Sequence, residues 1–224
     1  MNPSYAQIRA RIDKAAQAAG RAVRMLAVSK TQAAAAIREL AAQGQLAFGE
    51  NYVQEAVAKQ RGLADLRLEW HLIGPLQSNK CREAALHFDW LQSLDRQKLI
   101  EPLNRFRPAE AEPLNILIQV NIDGEASKSG CAPEAARELA REVAQFPRLR
   151  LRGLMAIPAP HPDLARRRAS FARMRALFES LRADYPGIDT LSMGMSEDFE
   201  LAIAEGATLV RIGTALFGAR PSPL

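Results

Sequence analysis

The sequence predicts a (β/α)8 barrel preceded by one extra N-terminal helix, and three observations lead there. Eight short runs rich in Val, Ile and Leu recur along the chain. Between them lie segments of Ala, Glu and Arg whose apolar positions fall three to four residues apart, the spacing of a helix with one buried face. No break in composition divides the 224 residues, so a single domain is expected over 1–224. Alternation of this kind implies a parallel sheet, because parallel neighbours need a crossover and the crossover is usually helical. An open doubly wound sheet is the competing architecture, but no G-x-G-x-x-G follows the first run. Barrels of about 200 to 250 residues are ordinary single units.

The first element is an amphipathic helix within residues 1–20. Ile8, Ile12, Ala15, Ala16 and Ala19 share a face, and Arg9, Arg11, Asp13 and Lys14 interrupt any apolar stretch that would read as a secretory signal. The strands are expected at 25–28, 46–48, 70–73, 90–91, 116–122, 151–157, 188–193 and 208–212, most of them followed by a small or polar residue. Helices are expected at about 32–43, 50–64, 78–87, 95–106, 133–146, 163–184 and 196–205, from their apolar spacing. Two loops stand out: DGEASKSG at 123–130, and a segment carrying Pro158, Pro160 and Pro162.

At 48% hydrophobic and 25% charged, with 13 Gly and 13 Pro, the composition excludes disordered and collagen-like chains. Apolar stretches such as 33–37 fall far short of the roughly 18 residues that span a bilayer, so no membrane association is expected. Cys81 and Cys131 cannot build a disulfide framework, which points to a reducing cytoplasm. The net charge of +5 invites a nucleic-acid reading. Its densest part, however, is Arg166, Arg167, Arg168, Arg173, Arg175 and Arg182, set among Leu164, Phe171, Met174, Leu177, Phe178 and Leu181 at helical spacing. Those arginines belong to the solvated side of a helix, and no nucleic-acid partner is expected. His71, His87, His161 and the two cysteines lack metal-ligand spacing, so no metal site is expected.

A barrel carries its chemistry at the carboxyl ends of its strands. Ser29, Lys30 and Thr31 follow the first run, Gly49, Glu50 and Asn51 the second, and Asp123 and Lys128 follow the fifth. The last two runs end in Ser192-Met193-Gly194-Met195-Ser196 and Arg211-Ile212-Gly213-Thr214. Loops after strands seven and eight commonly hold a phosphate, and here they offer hydroxyls from Ser192, Ser196 and Thr214 and glycines that permit close backbone approach. Alternatively, Ser196 merely caps the next helix. Lys30, at the mouth, is by position either a solvated loop lysine or a desolvated amine able to condense with an aldehyde. A lysine, a phosphate cradle and an arginine ending strand eight together match what pyridoxal phosphate requires. Asn51 either touches the polar edge of such a cofactor or caps a helix. His71 reads as a hydrogen-bonded core residue, and Lys128 as a solvated lysine or a second amine for exchange.

LAVSKTQ around Lys30, FGENYVQE at 48–55, EWHLIGPLQSNK at 69–80, SKSG at 127–130, GLMAIPAP at 153–160, LSMGMSEDFELAI at 191–203 and VRIGTALFGAR at 210–220 closely resemble the pyridoxal phosphate homeostasis protein family, the YggS or PROSC proteins. The resemblance covers nearly the whole chain. It implies a barrel similar to the N-terminal domain of alanine racemase, with Lys30 joined to pyridoxal 5′-phosphate as a Schiff base. It further implies that Ser192, Gly213 and Thr214 hold the phosphate and Arg211 the pyridine nitrogen.

Two functional classes follow. The first is a pyridoxal phosphate carrier or buffer with no catalytic residue, a monomer that hands the cofactor to apo-enzymes. The second is a racemase-type enzyme, which needs acid and base on opposite faces of the cofactor. Arg211 favours the first, because an arginine only donates and leaves a ring nitrogen unprotonated. Tyr5, Tyr52 and Tyr185, the candidates for an opposing base, are not at strand ends, and the chain closes at Leu224 just after the last barrel unit. A barrel acting on a sugar phosphate would share the phosphate loops without requiring Lys30 and Arg211 together.

Overall fold

The computed structural model describes residues 4–218. Eight parallel strands close into a barrel: β1 (Arg24–Val28), β2 (Ala47–Glu50), β3 (Glu69–Leu72), β4 (Trp90–Leu94), β5 (Leu114–Gln119), β6 (Leu149–Met155), β7 (Thr190–Ser192) and β8 (Leu209–Ile212). Each pairs with its sequence neighbour, and closure comes from β1 against β8, from Arg24↔Leu209 to Ala27↔Ile212. A helix precedes the barrel, α1 (Tyr5–Ala18), and the others follow the strands in turn: α2 (Ala34–Ala42), α3 (Val53–Arg61), α4 (Cys81–His87), α5 (Ile100–Phe106), α6 (Ala136–Val143), α7 (Leu164–Asp184), α8 (Phe199–Ala204) and α9 (Thr214–Phe217). The expected barrel with its extra helix is the fold observed. Residues 219–220 of the last motif lie outside the described residues.

Helix α1 starts at a capping box: Ser4 Oγ accepts from the Gln7 N–H, and Gln7 Oε1 accepts from the Ser4 N–H. Ile8, Ile12 and Ala16 are buried as the pattern requires. Arg11 reaches α8, donating twice to Glu200 at 2.9 Å and lying over the Phe199 ring. The extra helix therefore covers the last full turn of the barrel's outer layer.

Strands β5 and β6 begin two residues earlier than expected, and both also end earlier. Polar residues open these strands ahead of the expected runs, Asn115 in β5 and Arg150 in β6, and Asn115 is satisfied there by Arg152, which donates to it and forms a paired contact with Asp189. The apolar residues expected to finish them, Val120, Ile122 and Ala156, are buried in the connecting loops instead. Within the barrel, side chains alternate inward and outward along each strand. Leu26, Ala47 and Leu209 form one inner cluster and Trp90, Leu117 and Met155 another, while the large core shared with the helices takes residues such as Ala27, Phe48, Leu91 and Ile116. Among the described residues no helix is long and apolar enough to cross a membrane.

Candidate functional site

A cavity of about 1040 Å³ opens at the carboxyl ends of the strands, where the fold predicts a site. Lys30, Asn51, Arg211, Gly213 and Thr214 line it together, and Ser196, Gln119 and Lys128 join them. The two loops singled out in the sequence form its rim, through 127–129 on one side and Pro158, Pro160, His161 and Pro162 on the other.

Lys30 follows β1 on a segment held from both sides. The Ser29 N–H donates to the Gly49 carbonyl at 3.0 Å, and the Thr31 N–H donates to Glu55 Oε1 at 2.6 Å. Thr31 adopts φ 65°, a left-handed conformation that a β-branched residue takes only when its surroundings impose it. The imposing group is a buried cluster behind the loop. Lys59 on α3 donates to the Ser29 carbonyl at 2.7 Å, to Glu50 Oε1 at 2.8 Å and to Glu55 Oε1 at 2.7 Å, and the Ser29 hydroxyl donates to Glu50 Oε1 at 2.6 Å. Burial pushes the Glu50 carboxyl above its ordinary value despite its bonds to Lys59 and Ser29. Sequence reasoning placed Glu50 near the mouth but missed Lys59 and Glu55. Their i, i+4 spacing on a helix was the available signal.

Arg211, 3% exposed, donates from Nη1 to the Ser192 carbonyl and hydroxyl at 2.9 and 2.8 Å, and from Nη2 to the Ala156 carbonyl at 2.9 Å. Burial lowers its pKa to about 10, against support from Asp198, so it remains a cation at neutral pH. Gly213 breaks the strand with φ −119°, ψ −81°, and Thr214 starts α9, where the Leu216 and Phe217 N–H groups donate to the Gly213 carbonyl at 2.9 and 3.0 Å. Ser196 Oγ accepts from the Ala215 N–H at 3.4 Å, tying the loop after β7 to this turn.

Ser192 departs from expectation. It is fully buried and is not part of the cavity wall; its hydroxyl accepts from Arg211 and donates to Gln92 Oε1 at 2.7 Å. Residue 192 is the last of β7 and points into the barrel beneath the mouth, whereas Ser196, four residues on, reaches the cavity. Asn51 is held close to the next strand end: a Cβ on Gly74 would lie 2.2 Å from the Asn51 carbonyl oxygen, so only glycine permits the two loops to touch. His71 is fully buried and stacks on Trp90 with ring centroids 5.1 Å apart, in line with a core histidine. Cys81 and Cys131 are free and buried, and burial raises both thiols, Cys131 to about 11, which makes neither a nucleophile.

Fold and site define a ligand-binding (β/α)8 barrel of the alanine racemase N-terminal type, and that domain family, "Alanine racemase, N-terminal domain", matches residues 4–221. The chain is 60% identical over 220 residues to the pyridoxal phosphate homeostasis protein of Pseudomonas aeruginosa, covering 97% of this chain and 94% of that one. It is 55% identical over 223 residues to the protein of the same name from Escherichia coli, covering 97% and 95%. Among solved structures, PipY of Synechococcus elongatus with PLP bound aligns at TM-score 0.82 and 42% identity, over 95% of this chain and 100% of that one. An alanine racemase from Clostridium difficile, 13% identical, shares the fold at TM-score 0.71, over 98% of this chain and 58% of its own. The chain belongs to the pyridoxal phosphate homeostasis protein family.

Proposed function

We propose that this protein binds pyridoxal 5′-phosphate in the cavity at Lys30 and serves its homeostasis as a reversible carrier or buffer. It does so as a monomer in the cytoplasm, with apo-enzymes as recipients. The donor set suits the cofactor. Hydroxyls of Ser196 and Thr214, both in the cavity wall, would donate to a phosphate. Arg211 provides a permanent N–H donor for the pyridine nitrogen, and Lys30 an amine. When bound, the cofactor would supply an aldehyde with which the Lys30 amine would form a Schiff base reversibly, with loss of water. Asn51, which lines the same cavity, would bond the polar edge of the cofactor.

The observation that carries the reading is Arg211. As a cation held on carbonyl and hydroxyl acceptors, it cannot take a proton from or give one up to its partner near neutral pH, so it keeps a facing ring nitrogen unprotonated. That disfavours build-up of negative charge at the substrate Cα and supports holding over turnover. Incubation with L-alanine in deuterium oxide is expected to give Cα exchange no faster than free pyridoxal phosphate gives. Rapid, stereospecific exchange that disappears in Lys30→Ala would restore the racemase-type alternative.

Thr214→Ala and Ser196→Ala are each expected to weaken cofactor retention about tenfold to a hundredfold, since one donor to a charged group contributes about 1.5 to 3 kcal/mol. Equilibrium dialysis measures this. Unchanged affinity in both variants would move the phosphate away from the loops after β7 and β8.

A further inference from the structure

A line of hydrogen bonds runs from Arg211 down the inside of the barrel to its far end, through residues that the proposed binding chemistry leaves unused. Arg211 donates to Ser192 Oγ at 2.8 Å. The Ser192 hydroxyl meets Gln92 Oε1 at 2.7 Å, Gln92 Nε2 meets His71 Nδ1 at 2.8 Å, and His71 Nε2 meets Glu69 Oε1 at 2.6 Å. Glu69 lies at the start of β3, where Arg24 also donates to it. Four strands contribute, and the Ser192–Gln92 contact joins residues 100 apart in sequence.

The chemistry of the groups sets the direction of every bond. Arginine only donates, and an ionised carboxylate only accepts. With Glu69 ionised, His71 must present N–H at Nε2, and a neutral ring then has a bare Nδ1. Bare Nδ1 needs a donor, so the Gln92 amide turns its NH₂ to His71 and its carbonyl to Ser192, whose hydroxyl donates to it and receives from Arg211. The opposite amide orientation would require an imidazolium at His71. Burial holds His71 below its ordinary pKa against the pull of Glu69 and Asp89, with Arg24 adding to the lowering, and the ring is sealed on one side by Trp90. The contact to Glu69 is therefore a hydrogen bond from a neutral ring rather than an ion pair. All four donors point the same way.

We propose that Glu69, His71 and Gln92 are positioning residues: a one-way hydrogen-bond chain anchored on the Glu69 carboxylate that fixes Ser192, and through it the Arg211 guanidinium, as a donor at the cavity. A barrel interior is ordinarily filled by branched apolar side chains, which need no such matching. Backbone carbonyls of Ser192 and Ala156 hold Nη1 and Nη2 at 2.9 Å, and the chain adds the Ser192 hydroxyl as a further acceptor at 2.8 Å, whose loss or misorientation would leave an Nη1 proton unpaired. The proposal deepens the cofactor reading, which it assumes for the purpose of the guanidinium but not for the geometry of the chain.

The test uses the whole protein labelled with ¹⁵N, first without added cofactor. Long-range ¹H–¹⁵N correlations are expected to show His71 as the neutral Nε2–H tautomer at about pH 7 to 8. The Arg211 Nη protons, assigned by their loss in Arg211→Lys, are expected to be separately resolved. Gln92→Leu and His71→Leu are expected to shift the Nη1 signals, whose hydroxyl acceptor is then no longer fixed, whereas His71→Gln, which can accept from Gln92 and donate to Glu69, is expected to leave them in place. With pyridoxal phosphate added, the two leucine variants are expected to lose about tenfold in affinity, the usual effect of removing an outer partner of a binding group, and the glutamine variant to regain it. An imidazolium or Nδ1–H tautomer in the native protein overturns the proposal, as do Arg211 signals unaffected by Gln92→Leu. The tautomer is read on the unaltered chain, so a variant that fails to fold does not shield the idea. Failure of the native protein to bind pyridoxal phosphate would overturn the cofactor reading instead, leaving the Arg211 signals to decide this one.

Discussion

Lys30→Ala is expected to abolish covalent labelling of the protein by pyridoxal phosphate and borohydride while the barrel stays folded. The side chain lines the cavity and is not part of the apolar core, so its truncation opens no internal void. The backbone around it is held by other groups: Ser29 by Gly49 and Lys59, Thr31 by Glu55. Stability should therefore change by about 1 kcal/mol or less, as unfolding in urea would show. Reduction, digestion and mass spectrometry locate the pyridoxyl group. A label found mainly on Lys80 or Lys128 would relocate the attachment point, since Lys128 also lines the cavity.

Removing the ammonium behind that loop should have the largest effect on stability. Lys59 is 9% exposed and donates to two carboxylates and a carbonyl, and Glu50 is fully buried with Oε2 lacking any hydrogen-bond partner. Lys59→Met fills the volume but leaves Glu50 without its cation, a loss of about 3 to 5 kcal/mol at neutral pH. Burial already raises the Glu50 carboxyl in the folded protein, and loss of Lys59 raises it further. A carboxyl with a raised folded-state pKa makes the folded state the better proton binder, so its stabilising contribution is complete at low pH and is lost as pH rises through that value. The variant should accordingly be less impaired at about pH 5 than at about pH 8, because protonation removes the unpaired charge. Equal destabilisation at both values, measured by urea unfolding, would show that Glu50 is not the group left exposed to the loss. Because Ser29 and Glu55 lose the same partner, Lys30 should also label more slowly in this variant.

Much of the barrel was legible in the sequence because its signal is local. Each strand is a short apolar run and each helix a spacing of apolar positions, and every expected strand has a counterpart. The ends were less legible where polar residues enter a strand: Asn115 in β5, ahead of the expected run, is satisfied by the Asp89 carbonyl and by Arg152, partners that its own neighbourhood does not reveal. The four-residue helix α9 was not foreseen, being too short for a spacing pattern.

Position along the chain by itself determined the strand order, the mouth of the barrel, and the presence of Lys30, Asn51, Arg211, Gly213 and Thr214 around it, because a residue just past a parallel strand in a barrel has only one end to occupy. Tertiary structure alone decided which hydroxyl faces the cavity. Ser192 and Ser196 look equivalent in the sequence, but strand alternation and the depth of β7 turn the first toward Gln92 and Arg211 and leave the second at the mouth. The cluster of Lys59, Glu50 and Ser29 and the line from Arg211 to Glu69 were likewise beyond local reading. Their partners come from different strands and helices, and only closure of the barrel, which sets register and side-chain direction at once, brings donors and acceptors within 3 Å of one another.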